Sequence, residues 1–182
     1  IIIYMGSVIP LKKEVENSYL ELKNLVGNKL EEVNLQIKYK LASEINLIHK
    51  MVNYHLKSGG KRIRPLLTLG SAKLCGYVNG NRDVNLAACV ELIHSATLLH
   101  DDVIDASNLR RGNKTSNSIW GNQSSILVGD YLFSRCFEMM VEDGSQEILK
   151  LLSCTSSKIA QGEVQQLEYK GEIYILEETY FD

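Results

Sequence analysis

Apolar residues recur at every third or fourth position along most of this chain, and that spacing is the strongest constraint on its fold. Two series show it clearly, from Leu11 to Val26 and from Leu30 to Val52. Each series predicts an amphipathic helix with one apolar face. The chain has two prolines in 182 residues, so long helices can run without interruption. Nothing alternates at period two for long enough to predict a sheet, and the sequence therefore predicts an all-α fold.

Glycine and polar residues separate the helical segments from one another. These turn signals fall at residues 58–60, 76–82, 111–117 and 143–145. They predict helices over residues 65–75, 83–105, 123–142 and 145–169, and another that begins near Glu172. We find no internal repeat and no linker, so the pattern predicts a single helical domain over residues 1–182.

Composition and charge narrow the classes of function. With 45% apolar and 23% charged residues, the chain has the composition of an ordinary soluble domain. Its formal net charge of −2 offers no basic excess for nucleic acid, which we do not expect as a partner. Residues 1–10 lack a basic region and are too short to cross a bilayer, so neither a secretory signal nor a transmembrane segment is predicted.

Two further expectations concern the start of the chain and its cysteines. Met5 is a candidate initiator, so residues 1–10 are expected to be disordered or in part an artefact of the reading frame. The cysteines lack the CxxC spacing of a zinc site or redox pair. They predict buried, reduced thiols in a cytoplasmic protein, and they are Cys75, Cys89, Cys136 and Cys154.

The segment LLHDDVIDASNLRRG, residues 98–112, concentrates opposed charges at the predicted end of one helix. Asp101 and Asp105 are spaced i and i+4, so their carboxylates share a helix face and repel each other. They also lie where the helix dipole is negative, which adds to the cost. A sequence that accepts both penalties suggests a cation at this point. Magnesium fits, because it takes carboxylate and phosphate oxygens, although a solvated acidic helix end would share the pattern.

A second charged segment, SGGKRIRP over residues 58–65, has the opposite sign. Its glycines allow close approach of the backbone, its cations attract anions, and its proline marks the first turn of a helix. The segment is chemically suited to a diphosphate group, whereas the alternative is a loop with surface cations. Together with Arg110 and Arg111, it indicates two phosphorylated substrates that meet at a metal ion.

GGKRIRP, followed by ELIHSATLLHDDVIDASNLRRG, resembles the trans-polyprenyl diphosphate synthases, which belong to the isoprenyl diphosphate synthase family. The similarity continues through SILVGDYLF and AQGEVQQLE and covers most of residues 40–180. It implies an isoprenoid synthase-type antiparallel helix bundle that works as a homodimer. It also implies a prenyltransferase that condenses isopentenyl diphosphate head-to-tail onto an allylic diphosphate such as farnesyl diphosphate, with Mg²⁺ as the cofactor.

The resemblance also implies roles for individual residues. Asp101 and Asp105 match magnesium ligands, Asp102 completes the DDxxD motif, and Arg110 matches a contact to the allylic diphosphate. The positions that match the isopentenyl diphosphate site are Lys61, Arg64, His94 and Arg111. No protein nucleophile is required, since metal ions and arginines stabilise the charge that builds on the leaving diphosphate.

The residues before DDxxD predict the length of the product. In the family, bulky aromatic residues four or five positions before the motif close the channel and give short products. The corresponding positions here, Ala96 and Thr97, are small, and Ile93 lies one turn further back. A deep channel and a product of roughly six to eight isoprene units or more are therefore expected, since small residues leave volume for a growing chain. Products of that length serve as precursors of quinone side chains.

The end of the sequence departs from the family pattern. Family members carry a Lys-Thr pair and a second aspartate-rich motif that do not occur after Asp105 in this sequence. The resemblance therefore implies a bundle that is incomplete because its C-terminal helices are absent, and a chain with little turnover alone. An inactive truncated subunit or gene remnant, bound to a complete partner, is the second interpretation. A terpene cyclase is the third, which the intact GGKRIRP disfavours because cyclases need no isopentenyl diphosphate site.

Overall fold

The computed structural model describes residues 11–57 and 59–181, so the expectation for residues 1–10 lies outside the described residues. Helices dominate, and the all-α prediction is confirmed. In chain order the elements are α1 (Leu11–Val26), α2 (Lys29–Lys40), α3 (Asn46–Lys57), α4 (Ile63–Leu74), α5 (Arg82–Ile104), β1 (Leu109–Arg110), β2 (Asn113–Lys114), α6 (Ser116–Trp120), α7 (Asn122–Asp143), α8 (Gln146–Glu168) and α9 (Glu177–Phe181).

Helix α5 is the centre of the first part of the fold. It packs against α2, α4 and α7 and buries residues around most of its circumference. Small side chains such as Ala87, Ala88 and Ala96 lie in this core beside Leu92 and Leu99. A helix that is apolar on most sides is stable only when other elements cover it, and α5 meets that condition here.

The described residues form two compact units, one ending at Asp143 and one beginning at Gly144. In the second unit, Ser145 caps the start of α8, since its Oγ accepts a hydrogen bond from Ile148 N at 3.3 Å. The single domain expected over residues 1–182 stays a prediction. Within residues 11–57 and 59–181, no helix combines the length and apolar character that crossing a bilayer requires.

Three local expectations were wrong. The apolar series from Leu30 to Val52 does not form one helix face, because α2 ends at Lys40 and α3 begins at Asn46. The final helix begins at Glu177, not near Glu172. A two-strand hairpin and the short helix α6 occupy much of the segment expected to be a turn, residues 111–117.

Tertiary contacts explain why α2 stops where it does. Arg135 Nε, on α7, donates to Lys40 O at 2.6 Å, and Tyr131 Oη donates to Ala42 O at 3.3 Å. These side chains satisfy carbonyl groups that a continuing helix would have used. Periodicity within the segment cannot reveal partners that lie some ninety residues further along the chain.

The cysteine prediction was right for two of the four residues. Cys89 and Cys136 are free and buried between α5 and α7, and each thiol lies within 3.8 Å of the other residue's carbonyl oxygen. Cys75 and Cys154 are also free but exposed. Burial of all four thiols is therefore a wrong expectation.

Candidate functional site

One face of α5 forms the floor of a cavity of about 650 Å³. Glu91, Ser95, Leu98 and Asp102 all line this cavity, and His94 joins them. The spacings of four, three and four residues place the first four side chains along a single helical stripe. Glu91, Ser95 and Asp102 are buried, so the floor is largely polar although it lies against the core.

The GGKRIRP segment forms a second wall of this cavity, between α3 and α4. Arg62 adopts a left-handed conformation (φ 51°) at the start of α4, and its Nη1 lies 2.5 Å from Glu91 Oε1. This ion pair anchors the GGKRIRP segment to α5. It gives one of the segment's three cations, Arg62, a partner within the protein. Lys61 and Arg64, which match isopentenyl diphosphate ligands in the resemblance, line the cavity on either side of the anchor.

The RRG segment forms a third wall as the tip of a tight hairpin. Arg111 and Gly112 connect β1 to β2, and both have positive φ, 53° and 81°. The type I′ turn, one of the two common two-residue hairpin loops, has this conformation at both positions, and glycine adopts it at no steric cost. The hairpin therefore fixes the backbone positions of Arg110 and Arg111.

The end of α5 brings Arg110 back onto the aspartate motif. Ala106 takes a left-handed conformation (φ 49°), and Ser107 N donates to Asp102 O at 2.9 Å, which reverses the chain as in a Schellman motif. Arg110 then donates to Asp102 Oδ1 through Nη2 at 2.8 Å and Nε at 3.0 Å. Asp102 is thus the motif's buried arginine-binding carboxylate.

The two basic segments meet each other across 52 residues of sequence. Arg111 Nη1 donates to Gly59 O. A Cβ added at Gly60 would lie 2.8 Å from the same nitrogen, so a larger residue there would force the guanidinium to shift. Both segments consequently face one cavity.

The lining of this space is strongly cationic. Two carboxylates, Glu91 and Asp102, line it, and each is paired with an arginine. Six lysines and arginines line it, namely Lys61, Arg62, Arg64, Arg110, Arg111 and Lys114. Such an excess in a cavity concentrates multiply charged anions. The volume and charge suit a diphosphate group with a small organic substituent.

Two imidazoles face this cationic cavity. The pKa of His55 is lowered from 6.5 to about 4, chiefly by burial and also by Arg62 and Arg110, against the opposing field of Asp102. Burial also lowers the pKa of His94, with Arg64 as the next cause. Both rings are therefore neutral at pH 7, and the positive charge of the cavity comes from lysine and arginine.

The low pKa of His55 predicts a pH-dependent stability. Below pH 6.5 the unfolded chain binds a proton at His55 that the folded chain does not bind until the pH nears about 4. Stability is thus lost as the pH falls through this window, by up to about 1.4 kcal/mol per pH unit. Urea unfolding at pH 7 and pH 5 should show a smaller loss for His55→Gln than for the wild-type chain. His49→Gln, an exposed control on the same helix, should match the wild type; equal losses in all three would contradict the prediction.

Asp101 and Asp105 lie outside the cavity lining. Asp101 is half-buried on α5, and Asp105 is the exposed C-terminal cap of that helix. In the parts of the chain that the structure describes, no group of three or more His, Cys, Asp or Glu side chains is close enough to hold a metal ion. Two carboxylates nevertheless suit magnesium, which often takes one or two from the protein and the rest from phosphates and water. The donor chemistry fits the ion when a substrate supplies the remaining oxygens.

The residues predicted to form a product channel differ in burial. Ala96 is fully buried in the core and does not line the cavity. Ile93 and Thr97 are half-buried, and Thr97 Oγ1 donates to His94 O at 2.8 Å. Of the three positions, Thr97 combines partial exposure with a position on the Asp101 face of α5, so it is the most informative one to test.

His100 lies in a crevice that Gly129 opens between α5 and α7. Its Nε2 is 3.1 Å from Ile126 O and 3.4 Å from Asp130 Oδ1, and its ring stacks on Phe133 at 6.1 Å between centroids. The imidazole overlaps the position that a Cβ at Gly129 would occupy. Gly129 thus leaves the space that close packing of α5 and α7 needs. This packing holds the part of α5 that carries the aspartate motif.

Sequence reasoning missed several residues that line the site. Glu91 lies three residues before His94 on the same helix face, and that spacing could have identified it. His55 and Lys114 have no comparable signal, because their places in the cavity depend on how α3 and the hairpin meet α5.

The helical fold holds a cationic cavity that is suited to binding a diphosphate ester. The chain belongs to the polyprenyl synthetase family, whose model matches residues 45–182. It is 42% identical over 160 residues to the octaprenyl diphosphate synthase of Escherichia coli (strain K12). The matched region covers 88% of this chain and 49% of that protein. It is 40% identical over 140 residues to an all-trans-nonaprenyl-diphosphate synthase of Rhodobacter capsulatus, covering 77% of this chain and 43% of the relative.

Solved structures agree with this assignment. A decaprenyl diphosphate synthase from Rhodobacter capsulatus matches with a TM-score of 0.85 and 42% identity over 89% of this chain and 50% of its own. A polyprenyl synthase from Caulobacter crescentus CB15, complexed with calcium and isoprenyl diphosphate, matches with a TM-score of 0.85, 41% identity and coverages of 89% and 49%. The fold is therefore that of the isoprenoid synthases. The chain spans about half the length of the relatives it matches.

Proposed function

We propose that this chain acts as a prenyltransferase that joins isopentenyl diphosphate head-to-tail to an allylic diphosphate such as farnesyl diphosphate. The observation that carries the proposal is the cationic cavity in which Arg111 meets Gly59 and Gly60. Membership of the polyprenyl synthetase family supports the same reaction. A homodimer is part of the proposal, as the sequence resemblance implies, and so is a cytoplasmic location, for which the reduced thiols are the support.

In the proposed reaction the allylic C–O bond breaks, and diphosphate leaves with the bonding electrons. The double bond of isopentenyl diphosphate supplies the electron pair of the new C–C bond, and loss of a proton restores an alkene. Lys61, Arg64 and Arg111 would hold the isopentenyl diphosphate, with a neutral His94 donating one N–H. Arg110, oriented by Asp102, would face the charge that develops on the leaving group.

Magnesium is the divalent ion that we propose for this site. Asp101 and Asp105 would hold it, together with oxygens of the allylic diphosphate. When bound, the ion would act as a Lewis acid that stabilises negative charge on the leaving diphosphate. A solved relative whose structure is complexed with calcium and isoprenyl diphosphate supports a divalent cation in this family.

Prenyl transfer itself tests the proposal. Purified chain is incubated with labelled isopentenyl diphosphate, farnesyl diphosphate and Mg²⁺, and the products are separated by reverse-phase chromatography. We expect labelled polyprenyl diphosphates in small yield, in keeping with the little turnover expected of the chain alone, and we expect the double variant Asp101→Asn and Asp105→Asn to form none. A wild-type chain that binds both substrates yet forms no labelled product would refute the reaction while leaving the binding site standing.

Product length gives a second prediction, which concerns Thr97. We propose products of roughly six to eight isoprene units or more, because small residues before the aspartate motif leave volume for a long chain. The relatives named as octaprenyl and nonaprenyl diphosphate synthases support this range. Thr97→Phe should shift the chromatographic profile to shorter products, whereas Thr97→Ser should leave it unchanged. Identical profiles for both variants would remove Thr97 from the channel wall.

A further inference from the structure

Lys114 is a cation of the cavity that neither the GGKRIRP segment nor the aspartate and RRG motifs include. It is the second residue of β2 and lines the same space as Lys61, Arg64 and Arg111. The residue is exposed toward solvent. In the described parts of the chain its ammonium forms no ion pair, so its charge is available to a ligand.

The backbone of Lys114 is held by hydrogen bonds, although the residue is exposed. Tyr54 Oη donates to Lys114 O at 2.7 Å, and the Tyr54 ring meets Trp120 edge to face with centroids 5.2 Å apart. On the next residue, buried Thr115 donates through N to Asn108 O at 3.0 Å and through Oγ1 to Ser107 O at 2.7 Å. These contacts fix the position from which the lysine extends.

The balance of charge shows why a fourth available cation matters. Arg62 is paired with Glu91, and Arg110 with Asp102, so two of the six cations already have a carboxylate partner. Among the described residues, the cavity cations without such a partner are Lys61, Arg64, Arg111 and Lys114. A diphosphate ester carries several negative charges and many acceptor oxygens, and hydrogen bonds from cations to such oxygens are among the strongest.

We propose that Lys114 binds the diphosphate of isopentenyl diphosphate as a further substrate-binding residue. This inference rests on the proposed function, because it adds a ligand to the same substrate site. It assigns Lys114 to the isopentenyl substrate, because Lys114 shares the cavity with the three cations proposed for that substrate, whereas Arg110, which also lines it, is paired with Asp102. Asp101 and Asp105, proposed to hold the metal at the allylic diphosphate, lie outside the lining. The lysine is exposed, so its contribution is sensitive to salt.

Titration calorimetry at low ionic strength tests the proposal with two substrates. One arm uses isopentenyl diphosphate alone, and the other uses farnesyl diphosphate with Mg²⁺. We expect Lys114→Met to weaken binding of isopentenyl diphosphate about three- to tenfold, as for loss of one partly screened charged hydrogen bond. The affinity of Lys114→Met for farnesyl diphosphate should stay within about twofold of the wild-type affinity.

Two further variants make the result specific. Lys114→Arg keeps the charge and should restore the wild-type affinity. Lys38→Met removes an exposed lysine outside the cavity and should have no effect. Because these side chains are exposed, each variant should keep the thermal midpoint of the wild type, and measuring it confirms that the variant is folded.

The possible outcomes separate this inference from the proposed function. Unchanged affinity in Lys114→Met, or equal weakening in both substrate arms, would overturn the assignment of Lys114 alone. A folded wild-type chain that binds neither substrate would overturn the proposed function and this assignment with it. If the affinity for isopentenyl diphosphate stays low in Lys114→Arg, the positive charge is not the cause, and the assignment of Lys114 is overturned.

Discussion

Replacing Glu91 by leucine should lower the free energy of unfolding by up to about 3 to 5 kcal/mol, because it leaves the partly buried Arg62 guanidinium without its carboxylate partner. The side chains of Arg62 and Glu91 are only 17% and 8% exposed, and the pair joins the GGKRIRP segment to α5 at 2.5 Å. Arg62 also holds a left-handed backbone conformation, φ 51°, which this contact helps to maintain. Urea unfolding at pH 7 with linear extrapolation measures the loss.

A double variant distinguishes loss of the pair from general damage to the core. When Arg62→Met accompanies Glu91→Leu, no buried charge is left, and we expect most of the stability to return. Glu138→Gln is the control for an exposed pair with Arg135, and it should cost no more than about 0.5 kcal/mol. If the single costs of Arg62→Met and Glu91→Leu simply add in the double variant, the buried pair is not the source of the effect.

We expect Gly129→Ala to lower the free energy of unfolding by about 1 to 3 kcal/mol. The new methyl group would occupy the space of the His100 imidazole, which must then leave its hydrogen bond to Ile126 O and its stack on Phe133. Because α5 and α7 are both rigid and closely packed, neither helix can yield easily. Chemical unfolding of the purified variant checks the size of the loss.

Two controls accompany the Gly129 variant. Gly162→Ala also replaces a helical glycine, but nothing lies within 4 Å of the added Cβ, so it should be neutral or stabilising by up to about 1 kcal/mol. The double variant Gly129→Ala with His100→Ala removes the overlap and should recover stability relative to Gly129→Ala alone. A Gly129→Ala chain as stable as the wild type would show that the crevice is not a packing constraint.

Long helices were the part of the fold that local pattern could predict. The segments predicted at 83–105, 123–142 and 145–169 match α5, α7 and α8 within one residue at either end. Their apolar periodicity and glycine breaks are contained in the sequence itself. The end of α2 and the hairpin could not be predicted this way. One depends on side chains from α7, and two-residue strands carry no measurable period.

The candidate site, too, could be predicted only in part from the sequence. Lys61, Arg64, His94 and Arg111 were predicted from motifs, and the structure brings all four to one cavity. Asp102, which the resemblance places among the catalytic residues as the one that completes the motif, lies on the cavity stripe with Glu91, whereas Asp101 lies about 100° round the helix. His55 and Lys114 enter the cavity through the packing of distant elements, which single-sequence reasoning does not capture.

Calorimetric titration with isopentenyl diphosphate tests the central claim, that two distant basic segments form one diphosphate site. The wild-type chain is compared with Lys61→Met and Arg111→Met, which remove one cation from each segment. Each substitution deletes a charge-assisted hydrogen bond, so we expect each to weaken binding roughly tenfold or more. Wild-type affinity in both variants would contradict a shared site.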